Sequence, residues 1–284
     1  MLLRNGVFWV VLVVFGLLGF GMMVDDEISF GGGVGNIMRN APAVMITQLA
    51  TFGLLSVLLS TIFVAGIALR DFEQRTAELF FATPMRKRDY LLGRFGGGFL
   101  ASLAIMLVTA LGLWLGSLMP WLDQARLGPT PWAAYAWAFA VLVIPNLLFQ
   151  AALLFMLATL TRSMLYSYIG VIAFIVLWTM SGYLTRDLDS RWIGAMLDPS
   201  GLTAVSEHIR YWSSDQYNSQ LPALTGLLLG NRLLWLGATA AMLTAAFRLF
   251  RADREGIVLR RRKAGPAPAI SAQPGLATAG AALA

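Results

Sequence analysis

Residues 70 to 90 read RDFEQRTAELFFATPMRKRDY. The acids Asp71, Glu73, Glu78 and Asp89 mix there with the bases Arg70, Arg75, Arg86, Lys87 and Arg88, and Arg94 follows shortly after, in a chain that is only 13% charged. On either side run long apolar segments, so the stretch divides two bilayer-length blocks. The wider composition agrees: 58% of the 284 residues are hydrophobic, above the roughly 45–50% of soluble domains, and the mean hydropathy is +0.70. This is the composition of an integral membrane protein.

Crossing a bilayer as a helix takes about 20 apolar residues. Six segments satisfy this, at 7–24, 43–69, 90–119, 135–160, 164–184 and 226–249. The fold expected is therefore all-α, with six transmembrane helices in a domain over 1–250, a basic juxtamembrane segment at 251–263 and an Ala/Pro/Gly tail at 264–284. The tail has too little patterned apolar surface to fold. The first segment is read as an uncleaved span, because no small-residue cleavage site follows GFGMMVDDEISF.

Bases set the orientation. With the N-terminus in the cytoplasm, the inner segments hold Arg4, the six bases of 70–94, Arg162 and the seven of 248–263, against Arg39, Arg126, Arg186, Arg191, Arg210 and Arg232 outside. An excess of Lys and Arg marks cytoplasmic loops. Both termini and the 70–90 stretch thus belong in the cytoplasm, Asp25-Asp26-Glu27 and the 185–225 connection outside. The net charge of +6 belongs to these juxtamembrane bases, which meet lipid headgroups, and not to nucleic-acid binding.

Several chemistries are excluded outright. There is no cysteine, and His208 is the single histidine, so thiolate chemistry and histidine-cluster metal sites are absent. A phosphate-binding loop needs a Gly-Lys pair, whereas Lys87 and Lys263 both follow arginines. Ionisable residues are nearly absent from the spans, which disfavours ion-driven carriers. Asp187-Leu188-Asp189 outside matches an acid-x-acid metal pattern only by its three residues, and an ordinary loop role suits His208, beside Glu207, better than catalysis. Tyr211 and Trp212 suit the outer membrane interface.

Within the charged stretch, residues 70–82 form a helix of about 13 residues, roughly 20 Å long. Asp71 and Arg75 pair at i, i+4, and Arg75 and Glu78 at i, i+3, while Phe72, Thr76, Leu79 and Phe80 recur on another side. Pro84 disfavours helix at Thr83, so the chain breaks there and restarts near Arg88 or Asp89. A short amphipathic helix can simply lie on lipid, but acids at its start suit an anionic surface poorly. Docking to a cytoplasmic protein suits it better.

RDFEQRTAELFFATPMRKRDYLLGRF resembles the loop between the second and third spans of ABC-2 type ABC transporter permeases. That loop carries an acid, an Arg, then EL, a TP or SP pair and a basic cluster. The resemblance implies a coupling helix that seats in a cleft of an ATPase subunit, with Asp71, Glu73, Arg75, Glu78, Leu79, Thr83, Pro84 and Arg88 at coupling positions. GGGVGNIMRNAPAVM, LDPSGLTAVSEHIRYW and LPALTGLLLGNRLLWLG extend the likeness to the first membrane half of bacterial permease chains fused to a zinc aminopeptidase domain. Only MLLRN precedes the first span, where such permeases usually carry an amphipathic helix. No HExxH is present, and no peptidase activity is carried over.

The resemblance further implies a bacterial inner-membrane exporter with two copies of an ABC ATPase, which would bind ATP and Mg, and a second permease half supplied as a homodimer or heterodimer. The chain itself binds no cofactor and has no catalytic residue on this reading. Gly96 and Gly97, in GRFGGGFLASLA, permit close helix approach, and Asn146 and Gln150 offer polar contacts along a translocation path, Pro145 kinking the span beside them. Such groups more often bond neighbouring helices. Two further readings stand beside it: a membrane-embedded enzyme at the outer face, resting on Asp187 and Asp189, and a non-transporting scaffold that docks a partner through the same helix.

Overall fold

The computed structural model describes residues 5–25, 36–74, 86–187 and 189–250, apart from the side chains of Phe72 and Glu73. Regular structure among them is entirely helical. Six helices are long and apolar enough to cross a membrane: Gly6–Val24, Pro42–Asp71, Lys87–Ser117, Trp132–Thr161, Met164–Leu184 and Gly226–Leu249. The third and fourth begin earlier than the hydropathy pattern suggests, because Lys87, Arg88 and Trp132 join helices whose apolar part starts later. The restart after the charged stretch accordingly falls at Lys87.

In finer detail the first span is α1 (Gly6–Val24), and the second is α2 (Pro42–Leu59), a π-helical segment Ser60–Ala65, and α3 (Gly66–Glu73). The third is α4 (Lys87–Ser117). The fourth is α5 (Trp132–Ala138), a π-helical segment Phe139–Val143, and α6 (Ile144–Thr161). The fifth is α7 (Met164–Leu184); α8 (Arg191–Leu197), α9 (Leu202–Ile209) and α10 (Ser214–Ser219) fill the connection to the sixth, α11 (Gly226–Leu249). The π-helical segment before Pro145 has a clear cause. Proline has no N–H, and its ring presses on the carbonyl four residues back; widening the turn there accommodates it.

The second span lies at the centre, with 67% of its most apolar stretch buried, against 22% for the first, fifth and sixth spans. Those outer spans turn Leu17, Ile172 and Leu233 outwards, as lipid-facing helices must. The first and third spans lie backbone to backbone. A Cβ at Gly112 would stand 2.2 Å from the Gly16 carbonyl oxygen, and one at Gly19 would stand 2.3 Å from that of Thr109. Small residues let helices approach where lipid supplies no hydrophobic drive.

The connections sort onto two faces. On one, the backbone N–H of Met38 donates to Asn218 Oδ1 at 2.8 Å, Asn40 exchanges bonds with Gly128 at 2.7 and 2.8 Å, and Arg39 N–H donates to the Arg126 carbonyl at 2.8 Å. These contacts knit the start of the second span to the 118–131 and 185–225 connections. On the other face, Lys87 Nζ donates to the Phe250 carbonyl, so the charged stretch and the end of the sixth span share a side. The fourth and fifth spans turn on that side too, through Arg162, whose φ of 52° is left-handed.

Candidate functional site

The two described ends of the charged stretch meet in a small buried cluster. Asp71, in α3, is 4% exposed. Its carboxylate accepts from Tyr90 Oη at 2.9 Å and from the Arg94 guanidinium. Tyr90 and Arg94 both lie in α4, four residues apart, so one helical face of the returning chain clasps the end of the departing one. A buried carboxylate is tolerable when paired and hydrogen-bonded. Here the pairing ties the end of the second span to the start of the third.

A second contact joins the C-terminal end of the sixth span to the same place. The ring of Phe250 stacks near that of Tyr90, with centroids 6.3 Å apart, and Lys87 Nζ lies 5.6 Å from the Phe250 centroid while donating to its carbonyl. Around this lie Leu69, Leu91, Phe95 and Phe155 in a common apolar core. The second, third and sixth spans therefore meet at the described ends of the 70–90 stretch.

Of the expected coupling positions, Asp71 is thus turned into the chain, and Arg88 is exposed. The sequence pairs Asp71 with Arg75; Arg75, Glu78, Leu79, Thr83 and Pro84 lie outside the described residues, as does the Glu73 side chain. So does most of the expected helix over 70–82. Its described beginning continues the second span without a break as far as Glu73.

The polar residues of the fourth span make their bonds inside the chain. Gln150 Nε2 donates to the Gly53 carbonyl at 2.9 Å, and its Oε1 accepts from Ser56 Oγ at 2.6 Å. Asn146 Nδ2 donates to the Ser200 carbonyl at 2.8 Å, and its Oδ1 accepts from Arg232 Nη1 at 2.8 Å. Gly98 brings the third span close, a Cβ there standing 2.5 Å from the Phe63 carbonyl oxygen. Gly96 faces open space, and Gly97 lines a surface cavity beside it.

Arg232, grouped by charge with the bases of the 185–225 side, lies within the helix of the sixth span, as the 226–249 segment has it, and is 4% exposed. Besides Asn146 it donates through Nε to Asn231 Oδ1 at 3.0 Å. Asn231 Nδ2 in turn donates to the carbonyls of Ala195 and Asp198, at 2.6 and 2.8 Å. Asp198, fully buried, accepts from Ser200 Oγ at 2.6 Å and Thr203 N–H at 2.7 Å. Gly201 takes φ +70°, and any Cβ there would stand 2.0 Å from Arg232 Nη2. Asp198-Pro-Ser-Gly201 thus folds over the Arg232 guanidinium, and Asn231-Arg232 pins the 185–225 connection to the body.

The remaining residues singled out in the 185–225 connection lie apart from one another among the described residues. Asp187 and Asp189 are exposed, and among the described residues no three of His, Asp and Glu converge on a metal-sized space. His208 Nε2 accepts from the Ala223 N–H at 3.3 Å, and Glu207 pairs with Arg210 at 3.0 Å. Tyr211 is 85% exposed, and Trp212 packs edge-on between His208 and Tyr217. No protein-family model matches the sequence, and no curated protein matches it.

Proposed function

We propose that this chain is the membrane-spanning permease subunit of an ATP-driven export transporter of the ABC-2 type, with the 70–90 stretch and both ends on the cytoplasmic side of a bacterial inner membrane. The observation that carries this reading is the seating of the charged stretch. A mechanical connection to a cytoplasmic motor needs a stiff base, and Asp71, Tyr90 and Arg94 supply one where the second, third and sixth spans meet. Displacement of the stretch would then move spans and not merely flex a loop, which is how packed helices pass on rigid-body change.

The energy would come from elsewhere, because the sequence has no Gly-Lys pair for a nucleotide phosphate. On this reading two copies of a separate ATPase bind ATP and Mg, Glu73, Arg75, Glu78 and Arg88 face them, and a second permease half completes the path. Affinity co-purification from the native bacterium in mild detergent tests it. Recovery of a P-loop ATPase with the wild type, and its loss with Glu73→Ala/Glu78→Ala at equal folded yield, is the expected result. Absence of an ATPase from a folded wild-type sample would sink the proposal.

A further inference from the structure

A cavity of about 370 Å³ opens between the first three spans at the level of the charged stretch, lined by Asn5, Ile62, Phe63, Ile67, Arg70 and Arg94 together with glycines of the third span. Its lining is graded along the membrane normal. Arg70 stands near the end of the second span, Asn5 caps the start of the first, and Arg94 lies near the start of the third. Ile67, Phe63 and Ile62 precede Arg70 by three to eight residues, which places them about 5–12 Å deeper at 1.5 Å per residue. The mouth is basic and polar, and the wall beneath it is apolar.

The charges of the described residues at the mouth do not cancel. Arg94 is held by Asp71, whereas the Arg70 guanidinium is exposed and has no hydrogen-bond or ion-pair partner among the described residues. Among the described residues at the entrance, Arg70, Arg94 and Asp71 leave one net positive charge. We infer that this cavity binds one phospholipid from the leaflet on the side of the charged stretch, its singly charged phosphodiester at Arg70 and Arg94 and an acyl chain against Ile67, Phe63 and Ile62. Arginine donors match phosphate oxygens in a fork geometry, and basic pockets between transmembrane helices take lipid headgroups in this way. Through Arg94 the bound phosphate adjoins the Asp71 clasp, so lipid occupancy bears on the root of the 70–90 stretch. The inference needs only that the chain spans a bilayer and is independent of any ATPase.

Native mass spectrometry of the full chain, released from detergent with added dioleoyl phosphatidylglycerol, dioleoylglycerol or glycerophosphoglycerol, tests it. The wild type is expected to retain one phosphatidylglycerol, and Arg70→Gln to lower that retention about tenfold through loss of a charge-assisted contact. Gly93→Leu places a side chain in the cavity from a position whose Cβ meets nothing within 4 Å, and should lower retention with folding intact. Arg86→Gln removes an exposed base on the same side and should leave retention unchanged. Equal losses in Arg70→Gln and Arg86→Gln would overturn the site, as would full retention in Gly93→Leu. Retention of dioleoylglycerol equal to that of phosphatidylglycerol would remove the phosphate from the recognition, and equal binding of glycerophosphoglycerol would make the ligand a soluble phosphodiester and not a lipid.

Discussion

Arg232 donates through Nη1 to the side-chain oxygen of Asn146 at 2.8 Å, joining the sixth span to the fourth inside the apolar body. Because Asn146 also donates to the Ser200 carbonyl, the same pair holds the 185–225 connection against both spans. Leaving a buried hydrogen-bonding group without its partner costs about 1–3 kcal/mol. Asn146→Leu and Arg232→Met should each destabilise the folded chain by that order in detergent unfolding measurements. The double variant should cost less than the two together, by about 0.5–3 kcal/mol, as contacting residues do. Strict additivity would mean that the contact carries no energy.

Asp71 is the acceptor that keeps the charged stretch closed at its root, so its loss should act on that stretch before it acts on the fold. Asp71→Leu leaves Tyr90 and Arg94 without their shared partner. Arg94 keeps some access to water, its side chain being 23% exposed, which holds the cost to about 1–3 kcal/mol. Local opening should therefore rise by roughly tenfold or more, since 1.4 kcal/mol is a factor of ten. Limited trypsin digestion at the bases between 70 and 94 reads this directly. An unchanged cleavage rate in Asp71→Leu would show that the clasp does not govern the stretch.

Much of the architecture was legible because hydropathy runs report bilayer length directly, and each of the six helices overlaps one of those runs, the third and fourth starting three residues earlier. The internal bonds were less so. Asn146 and Gln150 could be seen as polar residues in an apolar span, but their partners Gly53, Ser56, Ser200 and Arg232 are 54 to 97 residues away, beyond any local pattern. The burial of Arg232 was not legible from its charge: it lies beside the 185–225 connection, but the side-chain oxygens of Asn146 and Asn231 and the Pro199 carbonyl hold its guanidinium inside the chain. A readable signal existed in the Asp-Pro-Ser-Gly turn, since a left-handed glycine there invites a group to fold over. Asp71 looked like a surface helix charge for the same reason: the i, i+4 rule sees Arg75 and is blind to α4.

The first and third spans make a further test, since their contact is set by backbone and not by side chains. A methyl at Gly112 would lie 2.2 Å from the Gly16 carbonyl oxygen, with no flexible group to yield. Overpacking a well-packed site costs about 1–3 kcal/mol, occasionally more, and separation of two helices along this seam belongs to the upper end. Gly112→Ala should lower the unfolding temperature clearly. Gly21→Ala, where the Cβ meets nothing within 4 Å, should leave it unchanged or raise it, because alanine favours helix over glycine by about 1 kcal/mol. Equal behaviour of the two variants would contradict the close seam.

Orientation can be settled with the chain as it stands, because it has no cysteine and a single introduced thiol reports one position. The two-face arrangement groups Tyr211 and Ala125 on one side, through contacts that join their connections to the start of the second span, and Arg88 on the other. All three are exposed, so a thiol at any of them is reachable by reagent. If bases mark the cytoplasmic side, Tyr211→Cys and Ala125→Cys should react with a membrane-impermeant maleimide in intact cells, and Arg88→Cys only after the membrane is opened. The reverse pattern would invert the protein and place the 70–90 stretch away from any cytoplasmic ATPase, removing the basis of the transporter reading while leaving the fold intact. Labelling of all three in intact cells would show that the six helices do not alternate across the bilayer.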